Sequence, residues 1–334
     1  MGRIIRDARV FTEDYVPKKL AHRMDRVSSI AESLRPLLED RPPANTLLYG
    51  PPGTGKTVLS RFVAEELRKE SPEVSYTRIN GFKQPSRFEI FYQAVNSVRS
   101  FVNRDSYSTE QLVEEFEEIA RKRPFIFIVD ELDQFEDTSA LFDIARFRTS
   151  GLVFISNSRD VFDDFPRSIR SRFSGLNYVK FEPYREDQLF DIIEDRAAKG
   201  LRDGSWSDEL VQKIASNADG DARIAIQSLL NAAQEAESED LEEIPAEMAD
   251  SSFSRTVSER KEEVMEKLNS HQRALYEALE DEEELTSSEL KERYRTLVDE
   301  PRSGRQVRRY LRKMSDYGLI DLHGEGRGRS YSIR

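Results

Sequence analysis

The clearest chemical signal in the chain is GPPGTGKT, Gly50 to Thr57, which fits the pattern G-x-x-x-x-G-K-[ST]. Gly50, Gly53 and Gly55, with Pro51, Pro52 and Thr54, make a loop whose backbone N–H groups can wrap phosphate oxygens. The start of the following helix adds its positive dipole end. Lys56 would reach the β- and γ-phosphates, and the Thr57 hydroxyl would ligate Mg²⁺. ATP or ADP is the ligand class this loop implies. A chance glycine loop explains it poorly, because every fixed position falls between a strand-like run, Thr46-Leu47-Leu48-Tyr49, and a helix-like one, Val58 to Arg68.

A second element must hold the metal and direct water. IFIVDELD places Asp130 and Glu131 at the end of an apolar run, 73 residues after Thr57. Asp130 suits Mg²⁺ coordination and Glu131 suits polarising the attacking water. Alone, such a strand end is often a strand running out into solvent; beside the phosphate loop it gains meaning. Ser156-Asn157 follows the next apolar run, where the Asn157 amide could hold water and the γ-phosphate. Arg170 and Arg172 in PRSIRSRF are either surface ion-pair formers or an arginine finger offered to a neighbouring subunit. Arg223 falls in the first turn of a helix begun by GDAR. A cation there opposes the helix dipole, so contact with a phosphate is the better reading.

The elements that must carry these residues alternate. Short apolar runs at 46–49, 74–79, 124–130, 152–155 and 178–181 alternate with helical patterns, including 86–102 and 109–122. Strands alternating with helices predict an α/β fold with a parallel sheet. PFIFIVD is continuous enough to be buried on both faces. From about 184 the pattern is helical, at 186–198, 207–217 and 220–236. In 235–250, eight of sixteen residues are acidic, which reads as a solvated linker or a frayed helix end.

Composition narrows the class. The 334 residues predict two or three domains. With 19 Phe and 12 Tyr, wholesale disorder is excluded. No apolar run is long enough for a membrane span, and a cytoplasmic protein is expected. Absence of cysteine removes disulfides, thiolate zinc sites and a Cys nucleophile. The three histidines are too scattered to make a metal site, and Trp206 is expected in a core. The charge is −12, with only 13 Lys beside 38 Arg. Either a salt-adapted, carboxylate-rich surface or an Arg-favouring genome gives that balance.

The −12 is an average. Residues 301–334 hold nine Lys/Arg and three Asp/Glu, a net of +6, so residues 1–300 carry −18. The tail reads as helix, helix, helix, hairpin. Its third helix, SGRQVRRYLRKMSDYGL, sets Val307, Tyr310, Leu311 and Met314 on one face and Arg305, Arg308, Arg309 and Arg312 on another. A Gly-rich turn with Arg327 and Arg329 would form a wing. This is a winged helix-turn-helix pattern, and a solvated basic face alone seldom coincides with such a wing. Arg305, Arg308 and Arg309 are expected in a DNA groove, with Arg312, Arg327 and Arg329 on phosphates.

The phosphate loop, DE strand end, Ser-Asn, SRF and GDAR, in this order, resemble an AAA+ ATPase with a helical lid. DYVPKKLAHRMDRV before the loop is similar to the archaeal Orc/Cdc-type replication initiators. The matching residues are Tyr15, Pro17, Leu20, His22 and Arg23; Asp130 to Asp133; Ile155 to Asn157; and Gly220 to Arg223. The chain is short for that family, and PRSIRSRF also resembles a clamp-loader element. The resemblance implies an AAA+ core over 1–182, a lid over 183–238, an acidic linker over 239–258 and a winged helix over 259–334. It implies slow, switch-like ATP hydrolysis, with Asn157 as first sensor, Arg223 as second and Arg172 as finger. The segment of Tyr15, Val16, His22 and Arg23, with Tyr184, would lie by the adenine. Implied partners are double-stranded origin repeats, an MCM-type helicase and copies of itself. A weaker DNA candidate is Lys83 to Arg87. Rivals are a DNA motor of the Holliday-junction type and an ATP-controlled transcription regulator.

Overall fold

The three central strands of the core split their apolar residues between two faces. Leu47, Phe125, Phe127, Val129, Leu152 and Phe154 join one buried cluster, and Leu48, Ile126, Ile128, Val153 and Ile155 join another. Period-two alternation with both faces apolar forces a layer of helices onto each side. The computed structural model describes residues 4–18, 20, 22–83, 85–99, 102–135, 139–147, 149–280, 282–324 and 328–334. Its core runs α1 (Met24–Leu34), β1 (Thr46–Tyr49), α2 (Lys56–Glu70), β2 (Ser75–Asn80), α3 (Arg87–Asn96), α4 (Thr109–Lys122), β3 (Phe125–Asp130), α5 (Ser139–Ile144), β4 (Ser150–Ser156), α6 (Arg167–Arg172) and β5 (Asn177–Lys180).

The five strands form one parallel sheet in the order β2-β3-β4-β1-β5. Register aligns Tyr49 with Ser156, Ser156 lying one residue before Asn157. It also aligns Asn80 with Asp130. Consequently β1, β3 and β4, the three central strands, end together, and their C-terminal ends are where an open α/β sheet holds ligands. The helix expected over 86–102 stops at Asn96, because the Ser97 hydroxyl donates back to the Ala94 carbonyl at 2.7 Å.

The lid is α7 (Glu186–Gly200), α8 (Asp208–Asn217), α9 (Ala222–Ser238) and α10 (Met248–Glu266). Two boundaries differ from expectation. The stretch 239–258, expected as a solvated linker, becomes in its second half the start of α10. Ala249, Ser252 and Thr256 are buried at helical spacing, and Asn231 donates to the Thr256 hydroxyl at 3.0 Å. The acidic run itself sits mostly at the end of α9 and in the connection before α10, with only Asp250 inside α10, which is why composition alone reads as solvated. The N-terminal residues, expected in the core, pack on the lid instead: Ile4, Val10 and Phe11 enter its cluster, and Ile5 bridges Leu201. Trp206 packs against the same cluster.

The C-terminal unit is α11 (Ser270–Glu280), β6 (Leu285–Thr286), α12 (Ser287–Leu297), α13 (Gly304–Asp316), β7 (Ile320–His323) and β8 (Ser330–Ile333). Thr286 and Glu289 form the capping box that opens α12. Val307, Tyr310, Leu311 and Met314 of α13 enter a core built from residues 264–331. The sheet order β6-β8-β7 completes a winged helix. No helix among the described residues is long and apolar enough to cross a membrane.

Candidate functional site

The phosphate loop leaves β1 with Gly53 and Gly55 at φ of 69° and 88°. Neither has room for a Cβ: at Gly53 it would meet the Asp221 carboxylate, and at Gly55 the Tyr184 hydroxyl at 2.5 Å. Both neighbours come from the lid side. The Ala222 N–H donates to the Gly53 carbonyl at 3.1 Å, so the lid closes directly on the loop. Lys56 opens α2, is 7% exposed, and donates to the Gly50 and Pro51 carbonyls at 2.6 and 2.7 Å. Burial, and then the nearby Arg223 guanidinium, lower its pKa to about 8. A buried cation pushed down by a second cation is an environment that an anion would relieve.

The metal-side pair comes together as expected. Asp130 is 2% exposed, and the Thr57 hydroxyl donates to its Oδ2 at 3.0 Å. A hydroxyl and a carboxylate are the hard oxygen donors that Mg²⁺ takes, so these residues fit the ion. Glu131 follows with φ 52°, a left-handed backbone that a side chain rarely adopts and that turns it off the strand. Burial raises its pKa. Asn157 Oδ1 accepts from Lys56 Nζ at 3.5 Å, which brings the end of β4 to the loop. Arg223 pairs with Glu13 at 3.4 Å and influences both Lys56 and Glu131 electrostatically.

Arg23 is buried, with its guanidinium 4.1 Å from the Tyr184 ring and a 2.6 Å hydrogen bond to the Glu182 carbonyl. Arg196 lies 4.2 Å over Tyr15. Tyr15 and Val16 are half-buried at this core–lid seam. His22, next to Arg23, turns to Asp191 of α7 at 2.6 Å. Arg172 is exposed, 3.9 Å over the Phe142 ring, and Arg170 lies 3.9 Å from Asp163. Neither contacts the loop of its own chain among the described residues.

Several site residues had no clear sequence signal. Arg78 of β2 holds Asp130 at 2.8 Å, and a charge inside an otherwise uncharged strand was the only hint. Arg260 of α10 lies beside Arg223, and burial followed by that guanidinium lowers its pKa. Most unexpectedly, the Tyr317 hydroxyl donates to Glu131 Oε2 at 2.8 Å from the residue that ends α13.

The arginines of α13 do not share one free face. Arg305 donates to the Asp163 carbonyl of the core, and Arg309 lines a cleft of about 250 Å³ with Asp133 and Gln134. Arg308 and Arg312 are exposed. Arg329 is half-buried, its carbonyl accepting from Ser287 N–H at 3.1 Å; Arg327 lies outside the described residues. Lys83 is exposed, whereas Arg87 is taken up by Asp143 at 2.5 Å and Glu110 at 3.0 Å.

A parallel sheet with the phosphate loop after β1, an Asp-Glu pair after β3, an Asn after β4 and a helical lid defines an AAA+ ATPase. Residues 46–180 match the family model for ATPases associated with various cellular activities, and 190–254 match the Cdc6 AAA+ ATPase-type lid domain. The chain is 32% identical to ORC1-type DNA replication protein 9 of Halobacterium salinarum over 333 residues, covering 99% of this chain and 94% of that one. It is also 32% identical over 308 residues to ORC1-type DNA replication protein 1 of the same organism, covering 91% of this chain and 100% of that one. The Aeropyrum pernix ORC1 protein, solved in complex with DNA, superposes with a TM-score of 0.75 at 26% identity, covering 100% of this chain and 94% of that one. The chain belongs to the ORC1-type DNA replication proteins, AAA+ ATPases of the Orc1/Cdc6 initiator type.

Proposed function

We propose that the protein binds double-stranded origin DNA through its winged helix and uses Mg-ATP, held between core and lid, as a slow switch. The observation that carries the nucleotide half is the convergence of Lys56, Thr57, Asp130, Glu131 and Asn157 at the ends of three adjacent strands, with Arg223 brought by the lid. Mg²⁺, held by Thr57 and Asp130, would supply charge neutralisation for the phosphates. Lys56 and Arg223 orient the phosphates and disperse their charge. Glu131 takes the proton from the attacking water, while Asn157 holds that water in line. Arg23, Tyr15, Val16 and Tyr184 form the base end of the site; His22, turned to Asp191, contributes by tying that segment to the lid. Arg172, exposed on α6, is available to a second copy's nucleotide, which favours self-association.

For DNA, the support is the net +6 of the last 34 residues on a winged-helix fold, and the DNA-bound state of the Aeropyrum pernix relative. Recruitment of an MCM-type helicase follows from the family alone. The test is a Lys56→Ala variant in equilibrium binding with labelled ATP and a fluorescent duplex. Loss of about 2–3 kcal/mol in ATP affinity with the fold intact is expected, since one charge-assisted phosphate contact is removed. Undiminished ATP affinity would end the assignment.

A further inference from the structure

The outward face of α13 is the face a winged helix presents to a major groove, because Val307, Tyr310, Leu311 and Met314 anchor the opposite side. On a helical wheel, Arg305, Arg309, Arg312 and Asp316 fall together opposite that apolar stripe. In this structure part of that face is turned to the ATPase core. Arg305 donates to the Asp163 carbonyl. Arg309 lines the cleft beside Asp133. Asp316 lies within electrostatic reach of Asp133 and Lys56. Tyr317, one residue on, donates to Glu131 Oε2 at 2.8 Å.

The seam is built to open. The winged helix has its own apolar core, which draws on no residue of the ATPase sheet. Among the described residues, the contacts across this seam include two hydrogen bonds, a group of charges and a polar-lined cleft of about 250 Å³. Polar inter-domain contacts of this kind exchange readily with solvent or another partner. The bond that matters most falls on the side chain that must accept a proton from water. A carboxylate oxygen occupied by a tyrosine hydroxyl is held in one orientation and has one fewer site for water.

We infer that Tyr317 is a positioning residue that restrains Glu131, and that α13 serves either the ATPase core or a DNA groove but not both at once. DNA that takes the outward face of α13 withdraws Tyr317 and frees Glu131, so duplex binding switches hydrolysis on. This rests on the reading of α13 as the DNA-reading helix.

Steady-state ATP turnover of the full chain and of Tyr317→Phe, each with and without a random-sequence duplex at low salt, tests it. Wild-type turnover should rise with duplex. Tyr317→Phe should turn over roughly tenfold faster than wild type without DNA, a small part of what a general base contributes. It should gain little more from duplex, and its ATP affinity should be unchanged. A second measurement does not depend on the tyrosine. The chain has no cysteine, so Asp163→Cys and Arg305→Cys can be joined by a short bis-maleimide that reductant cleaves. Crosslinking should suppress both duplex binding and turnover, and reductant should restore both. Duplex binding that leaves turnover unchanged in wild type and Tyr317→Phe alike overturns the inference while the DNA-binding reading stands. So does a crosslinked protein that hydrolyses and binds as before. Failure of wild type to bind duplex at all would overturn both.

Discussion

Lys56 and Asp130 sit beside the ends of buried parallel strands, whereas the arginines of α13 stand on the outer face of a helix whose inner face alone enters an apolar core. The first kind of residue has one set of possible neighbours. Strand order and register fix which side chains meet, as with Thr57 and Asp130 at 3.0 Å. The second kind has whatever partner reaches it: here the ATPase core and, on the proposed function, a nucleic acid. A site made at strand ends is therefore specified by the fold, and a site made on a helix face is specified by occupancy.

The largest expected effect tests the first half of that contrast. Glu131→Gln keeps the size and place of the side chain but removes its ability to take a proton. Turnover should fall by roughly a hundredfold or more, with ATP affinity within a factor of about two. Measured turnover near wild type would break the view that the strand end fixes the chemistry.

The contrast also explains what could be read from the chain. The five strands, the loop, Asp130, Glu131, Asn157 and Arg223 were legible, because phosphate chemistry needs those residue types and buried strands leave a period-two apolar record. Arg78, Arg260 and Tyr317 were not. Each acts through a neighbour from a distant element, and no local pattern reports which distant element will arrive. The acidic stretch misled for a related reason. Its charges record the end of α9 and the connection that follows, while the buried face of α10 is written in Ala249, Ser252 and Thr256, which are small and weakly apolar. On α13 the spacing gave four arginines near one face, but it could not say that Arg305 and Arg309 would turn to the core.

A middle-sized effect sharpens the second half. Arg308 and Arg312 are exposed on α13, whereas Arg305, also exposed, donates to the core, so the first two should bear the first contact with DNA while the seam is still closed. The double variant Arg308→Ala, Arg312→Ala should lose about tenfold in duplex affinity at moderate salt and flatten the log-log salt slope by about two, one per phosphate contact. Its ATP affinity should not move. If affinity falls only at particular sequences, these side chains read bases rather than phosphates. On a protein whose remaining residues carry −18, the loss should be plain, since 1–300 repels the same DNA.

The smallest effect concerns how tightly the seam is held. Burial, with Asp133 nearby, pushes the Asp316 carboxyl up from 3.8 to about 7, against the opposing pull of Arg312 and Lys56. When the winged helix swings away, the group returns to water and to its ordinary value. Below about pH 4 it is protonated in both arrangements, and docking carries no penalty from it. Between pH 4 and 7 the undocked form releases its proton while the docked form keeps it, so docking weakens as pH rises. Above pH 7 both forms are ionised and the penalty is constant. Energy transfer between dyes on Glu66→Cys in α2 and Glu292→Cys in α12 would follow this directly. Transfer in wild type should shift toward its DNA-bound value from pH 5 to 7 and then level off. With Asp316→Asn, which cannot ionise, that step should vanish and the docked value should persist to higher pH. A step of equal size in the variant would assign the pH dependence to another group and remove Asp316 from what holds the seam.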